Sequence, residues 1–149
     1  LDPSGETSTF RADNIDYYVT ASNNGYEGDL EVAMLPESFR RDVLGETSTE
    51  TDNVLIENAN TRPKRFALLF QFEGDQSGTR HVLYNCSTTR PSVSSQTTDE
   101  TIEPVTETVT ITASPLSDGV VKASTNAQTT TTVYNAWFTK VYEPADSAA

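Results

Sequence analysis

Cysteine is nearly absent: Cys86 stands alone in 149 residues, which excludes an intrachain disulfide framework and fits folding in a reducing cytoplasm. Histidine is equally scarce. With His81 single and one distant cysteine, a transition-metal site has almost no ligands to draw on. The two residues also make a poor nucleophile and base, because side chains an odd number apart on one strand point to opposite faces. Cys86 is therefore expected in the core, and His81 in a structural or surface role. Positive charge is in short supply, with 10 Lys and Arg against 22 Asp and Glu and a net charge of −12. Phosphate affinity is built from clustered cations, so a nucleic-acid-binding patch is not expected. No run approaches the roughly 20 apolar residues of a membrane helix, and nothing resembles a signal peptide. Gly25 and Gly28 are isolated, so no phosphate-cradling loop exists.

Carboxylates are abundant, yet Asp13 with Asp16, Asp29 with Glu31, and Glu100 with Glu103 match no general acid/base or calcium-loop spacing. The turns at Asp52-Asn53 and Asp75 also lack the spaced acidic ligands of a calcium loop. A solvated acidic surface is the simpler reading. Asn85-Cys86-Ser87 has the form of a glycosylation acceptor, a triplet that recurs by chance. No convergent set of groups is present to perform a reaction, and the expectation is a protein that is not an enzyme and uses no cofactor or metal.

What the chain does have is period-two patterning. Thr106, Thr108, Thr110, Thr112 and Ser114 alternate with Val105, Glu107, Val109, Ile111 and Ala113, the signature of a strand over residues 103–115 with one hydroxyl face and one largely apolar face. Residues 7–12 and 15–20 read as two further strands joined at Asp13-Asn14, with Ile15, Tyr17 and Val19 on one face. Asp2-Pro3-Ser4-Gly5 and Asn23-Asn24-Gly25 read as turns. Leu30, Val32 and Met34 form the apolar face of a strand ending at Pro36. Beyond it, Leu35, Phe39 and Val43 recur at helical spacing, and Gly45 is placed to cap a short helix over residues 37–44. Phe66, Leu68, Phe70 and Phe72 predict one strand of a deeply buried hairpin, turned at residues 74–78 into Val82, Tyr84 and Cys86. Asp118-Gly119 turns the chain into a strand over residues 120–123. Tyr134, Trp137, Phe138 and Val141 predict a final amphipathic helix, capped by a hydroxyl of residues 129–132. The polar segments 46–61 and 91–103 read as flexible loops. A single mainly-β domain follows, an antiparallel β-sandwich or barrel with two short flanking helices.

Several blocks carry a family resemblance. They are Gly25-Tyr26-Glu27-Gly28-Asp29-Leu30-Glu31-Val32-Ala33-Met34-Leu35-Pro36, Ser38-Phe39-Arg40-Arg41-Asp42-Val43-Leu44-Gly45 and Lys64-Arg65-Phe66-Ala67-Leu68-Leu69-Phe70. Arg80-His81-Val82-Leu83-Tyr84-Asn85-Cys86, Thr89-Arg90-Pro91-Ser92, the strand over 103–115 and Tyr134-Asn135-Ala136-Trp137-Phe138 continue the series. In order and spacing, nearly end to end, the chain resembles the major tail protein of long-tailed, non-contractile bacteriophages.

The resemblance implies a virion tail protein made in the bacterial host cytoplasm. Its copies would assemble as hexameric rings stacked into a hollow tube, with tape-measure and tail-terminator proteins as partners. DNA would pass through the lumen without specific binding, and no membrane is involved. The family has a further segment ahead of the point where Leu1 falls, so the chain is expected to begin inside a longer gene product. By position, the 46–61 and 91–103 loops are expected to make contacts within and between rings. Arg40, Arg41, Arg62, Lys64 and Arg65 are expected to meet acidic loops of neighbouring subunits. Reversing the charge of Arg40 and Arg41 is expected to weaken rings and leave the protomer folded. The competing reading is a monomeric β-sandwich binding module for adhesion or carbohydrate. Against it stand the lone cysteine and the placement of Trp137 on a predicted helix face.

Overall fold

The computed structural model describes residues 1–5, 7–12, 15–21, 23–93 and 105–144, giving backbone alone for the second and third of these segments. The architecture is mainly β: an antiparallel sheet curled into a half-barrel and accompanied by short helices. Its strands are β1 (Asp2–Ser4), β4 (Gly25–Val32), β7 (Phe66–Gln71), β8 (Arg80–Thr88), β9 (Glu107–Ser114) and β10 (Lys122–Ser124), in the order β1-β4-β9-β8-β10 with β7 on β8. Outside this sheet, β2 (Thr7–Ala12) pairs with β3 (Ile15–Ala21), and β5 (Thr47–Ser48) pairs with β6 (Leu55–Ile56). Asp13-Asn14, the expected link between β2 and β3, lies outside the described residues, as do residues 94–104 of the second loop and of the expected threonine strand.

The threonine strand is central, paired with β4 on one side and β8 on the other. Val109, Ile111 and Ala113 are all but fully buried while Thr108 is exposed, so the two faces divide as the alternation dictates. These three join Leu35, Leu83 and Cys86 in the core, with Leu30, Val32, Phe39, Phe66, Leu68 and Phe70 packed around them. Leu35 and Phe39 come from the segment leading into α1 (Glu37–Phe39), which passes directly into a π-helical turn over Arg40–Leu44. Gly45 ends that turn at φ 75°, and its N–H donates to the Arg40 carbonyl. The expected helix is present, with wider winding in its second half.

Four expectations are corrected. Asp2-Pro3-Ser4, read as a turn, is an edge strand paired with Glu27, Tyr26 and Gly25. Gly25, read as part of a turn, opens β4 at φ 107°, and a Cβ there would sit 1.7 Å from the Ala113 carbonyl oxygen, so only glycine lets the two backbones meet. The same strand stops at Val32, which leaves Met34 75% exposed. The hairpin is buried on one strand only: Val82, Leu83 and Cys86 of β8 are buried, whereas β7 is half-buried and Phe72 is 61% exposed. Among the described residues β7 has one hydrogen-bonded neighbour, and such a strand is covered less than a central one.

Register explains a further difference. Phe66 pairs with Cys86 and Leu68 with Leu83, so β8 carries one extra residue at Tyr84-Asn85. This bulge falls where β9 gives way to β10 along the same edge of β8. It places Leu83 and Cys86 on the core face and turns Tyr84 toward the opposite one.

Candidate interaction surfaces

The face of β4 and β9 opposite the core carries the most distinctive side-chain pattern of the fold. Glu27, Asp29 and Glu31 stand in register with Thr112, Thr110 and Thr108. All three carboxylates are exposed. The Thr110 hydroxyl donates to Asp29 Oδ1 at 2.8 Å, and the Thr106 hydroxyl donates to Glu31 Oε1. Asp2 of β1 pairs in register with Glu27 and adds another carboxylate at the sheet edge. Such a surface repels polyanions and offers water a dense set of hydroxyl partners.

At the other end of β9, Glu107 is the one charged residue on the apolar side of the alternation. It reaches the helical segment: Oε1 accepts from the Arg40 guanidinium and Oε2 from the Leu35 N–H. Arg40 also contacts Glu46 at 3.3 Å. The three side chains are 22%, 23% and 9% exposed for Arg40, Glu107 and Glu46, an internal brace between helix and sheet. The structure thus gives Arg40 two carboxylates of its own chain. Reversing Arg40 would therefore also disturb contacts inside the protomer, besides any it makes with neighbours. Arg41 differs: among the described residues its ion pair is an exposed contact with Glu37 at 3.7 Å. Arg62, Lys64 and Arg65 are exposed together on the segment before β7, which is tied down by the Lys64 N–H donating to the Val43 carbonyl at 2.8 Å. Glu107 escaped the reading of the sequence, although a carboxylate in an apolar register was a signal that a cation or N–H must meet it.

The C-terminal segment covers the end of the sheet where β8 meets β10. The helix α2 (Thr131–Ala136) starts at Thr130, whose hydroxyl accepts from the Val133 N–H as expected. Trp137 is 3% exposed, and its indole N–H donates to the His81 carbonyl at 3.2 Å. Tyr142, rather than Phe138, stacks on the indole at 5.6 Å, and the Tyr84 hydroxyl donates to the Tyr142 carbonyl. Phe138 is 52% exposed because the helix ends at Ala136, before its stripe is complete. Arg80 clamps the segment from β8: its guanidinium lies 3.8 Å from the Tyr134 ring and donates to the Tyr134 carbonyl.

His81 and Cys86 lie on one face and not on two, since the bulge adds a residue between them. His81 stacks on Phe70 with ring centroids 5.1 Å apart, while Cys86 is fully buried. Burial pushes the Cys86 thiol up, the opposite of what a nucleophile needs. In the turn before β8, Asp75 accepts from the Ser77 hydroxyl and from the N–H groups of Ser77 and Thr79; these bonds, that from the Ser77 hydroxyl first, hold its carboxyl below the usual range. Among the described residues no group of three or more His, Cys, Asp or Glu gathers as metal ligands would. No helix among them is long and apolar enough to cross a membrane.

The chain matches no family model, no curated protein and no solved structure.

Proposed function

We propose that this chain is a structural subunit of a phage tail tube, self-associating into hexameric rings that stack into a conduit for DNA. The observation that carries the reading is the acid and hydroxyl ladder of Glu27, Asp29 and Glu31 against Thr112, Thr110 and Thr108. A conduit wall must let a polyanion slide, and a single cation cluster would hold phosphates and stall it. Screening acts over about 8 Å at physiological salt, so wall charges are felt only at close range and the lining itself has to be non-adhesive. The family resemblance of the sequence blocks points the same way, as does a net charge of −12. A half-barrel whose β7 strand, among the described residues, pairs only with β8 further suits a subunit that finishes its sheet against neighbours. The tape-measure and tail-terminator proteins implied by the resemblance remain its proposed partners, and the virion tail its proposed place. Against the carbohydrate-binding alternative, the single tryptophan is buried beneath Tyr142, and the most exposed aromatic rings among the described residues are Phe72 and Phe138.

Electrophoretic titration with duplex DNA at about 0.15 M salt tests the lining. No complex is expected where even non-specific binders reach roughly 10⁻⁴ to 10⁻⁶ M. A micromolar complex would count against a conduit.

A further inference from the structure

The step from Asn24 to Gly25 carries chemistry of its own. Alone among the asparagines of the chain, Asn24 precedes a glycine. A following glycine has no Cβ to keep the next backbone nitrogen away from the side-chain amide carbon. Asn23 and Asn24 are both exposed, so water reaches their amides. Nor can the chain remove the glycine. Gly25 is buried at φ 107°, and a Cβ on it would lie 1.7 Å from the Ala113 carbonyl oxygen.

The fold instead restrains the attacking nitrogen. The Gly25 N–H donates to Asn23 Oδ1 at 3.0 Å, while the Asn24 N–H donates to the Ser4 carbonyl at 2.8 Å. Ser4 stands opposite Gly25 in the β1-β4 register, and the next residue, Tyr26, is paired with Ala113 of β9. Cyclisation requires the Gly25 nitrogen to lose its proton and the backbone to turn until that nitrogen and Asn24 Cγ reach near-attack distance. These contacts oppose the turn, and the bond to Asn23 also engages the proton.

We propose that Asn24-Gly25 is a latent deamidation site and that Asn23 holds it shut. When the turn opens, the Gly25 nitrogen attacks Asn24 Cγ. A new N–C bond forms, the bond from Cγ to the side-chain nitrogen breaks, and that nitrogen leaves as ammonia with the proton given up by Gly25. Water then adds to either carbonyl of the cyclic imide and reopens it, giving aspartate or isoaspartate. No catalyst beyond the chain and water takes part. The isoaspartate product lengthens the backbone by a methylene where Ser4 is bound, which breaks the β1-β4 register.

Peptide mapping by mass spectrometry tests it, on the full chain held in native buffer at mildly alkaline pH. Asn23→Ala should deamidate at Asn24 about 2 to 10 times faster than the wild type, the gain in local opening that follows loss of a hydrogen bond. Asn23→Asp keeps an acceptor oxygen and should restore the slow rate. Thr130→Ala, weakened at the distant cap of α2, should match the wild type, which separates a local guard from a general loss of stability. In denaturant, wild type and Asn23→Ala should share a common, faster rate. Thermal unfolding verifies that each variant is folded, and Asn23→Gln, whose longer side chain misplaces the oxygen, replaces the alanine variant if that one is not. Equal rates for folded wild type and folded Asn23→Ala, or a folded wild type as fast as the denatured chain, would overturn the proposal. So would a Thr130→Ala rate as high as that of Asn23→Ala, or an Asn23→Asp rate no lower than it.

Discussion

Glu107 shows what a single residue does in this fold. Its carboxylate satisfies the Leu35 N–H and the Arg40 guanidinium together, in a site less than a quarter exposed. Glu107→Ala should destabilise the protein by about 1.5–3 kcal/mol, the worth of hydrogen bonds to a charged group. Arg40→Glu should cost at least as much, since it sets a third carboxylate beside Glu46 and Glu107. Arg41→Glu should cost about 0.5 kcal/mol or less, as for exposed helix pairs. Chemical denaturation of the three variants checks the order, and equal midpoints for Arg40→Glu and Arg41→Glu would refute the brace. Asp75 gives a pH signature. Its folded carboxyl titrates lower than in the unfolded chain, so its contribution is present above the ordinary Asp value of about 3.9 and fades as pH falls through the lower folded value. The gap in melting temperature between wild type and Asp75→Asn should therefore be full near neutrality and close in acid. Residue roles were only partly visible in the sequence. Cys86 read correctly as a core residue because composition leaves it no other task, whereas the partner of Arg40 lies 67 positions away and only the fold brings it near.

At the scale of elements, periodicity carried well wherever one face is buried and the other wet. The threonine strand is the clearest case, with Val109, Ile111 and Ala113 inside. Where both faces are covered, alternation says little, and the β8 bulge at Tyr84-Asn85 could not be read because each residue beside it suits some buried position. Likewise Asp2-Pro3-Ser4 has turn-forming side chains and becomes a strand only because the β4 edge lies beside it. The short helix α2 depends on tertiary anchoring, being too brief to persist alone. Trp137→Ala should cost about 3–5 kcal/mol, the usual range for removing a buried large aromatic. Thr130→Ala should cost about 1 kcal/mol through the lost cap. Thermal unfolding reads both, and an unchanged midpoint for Trp137→Ala would show that the segment is not docked.

For the whole molecule, the proposed tube rests on the acid and hydroxyl face of β4 and β9 and on the β7 edge, which among the described residues pairs only with β8. The mainly-β class with two short helical segments was legible from patterning, because burial of one strand face imposes its own period on the sequence. The exposure of Val54, Leu55 and Ile56 was not, since an apolar triplet in a polar loop reads the same whether it is buried or held out in water. The central claim is that copies of this chain build a hollow tube. Negative-stain electron microscopy of the concentrated full gene product tests it most directly. Rings with a central hole, stacking end to end, are the predicted image; fields of separate single chains at every concentration would contradict it.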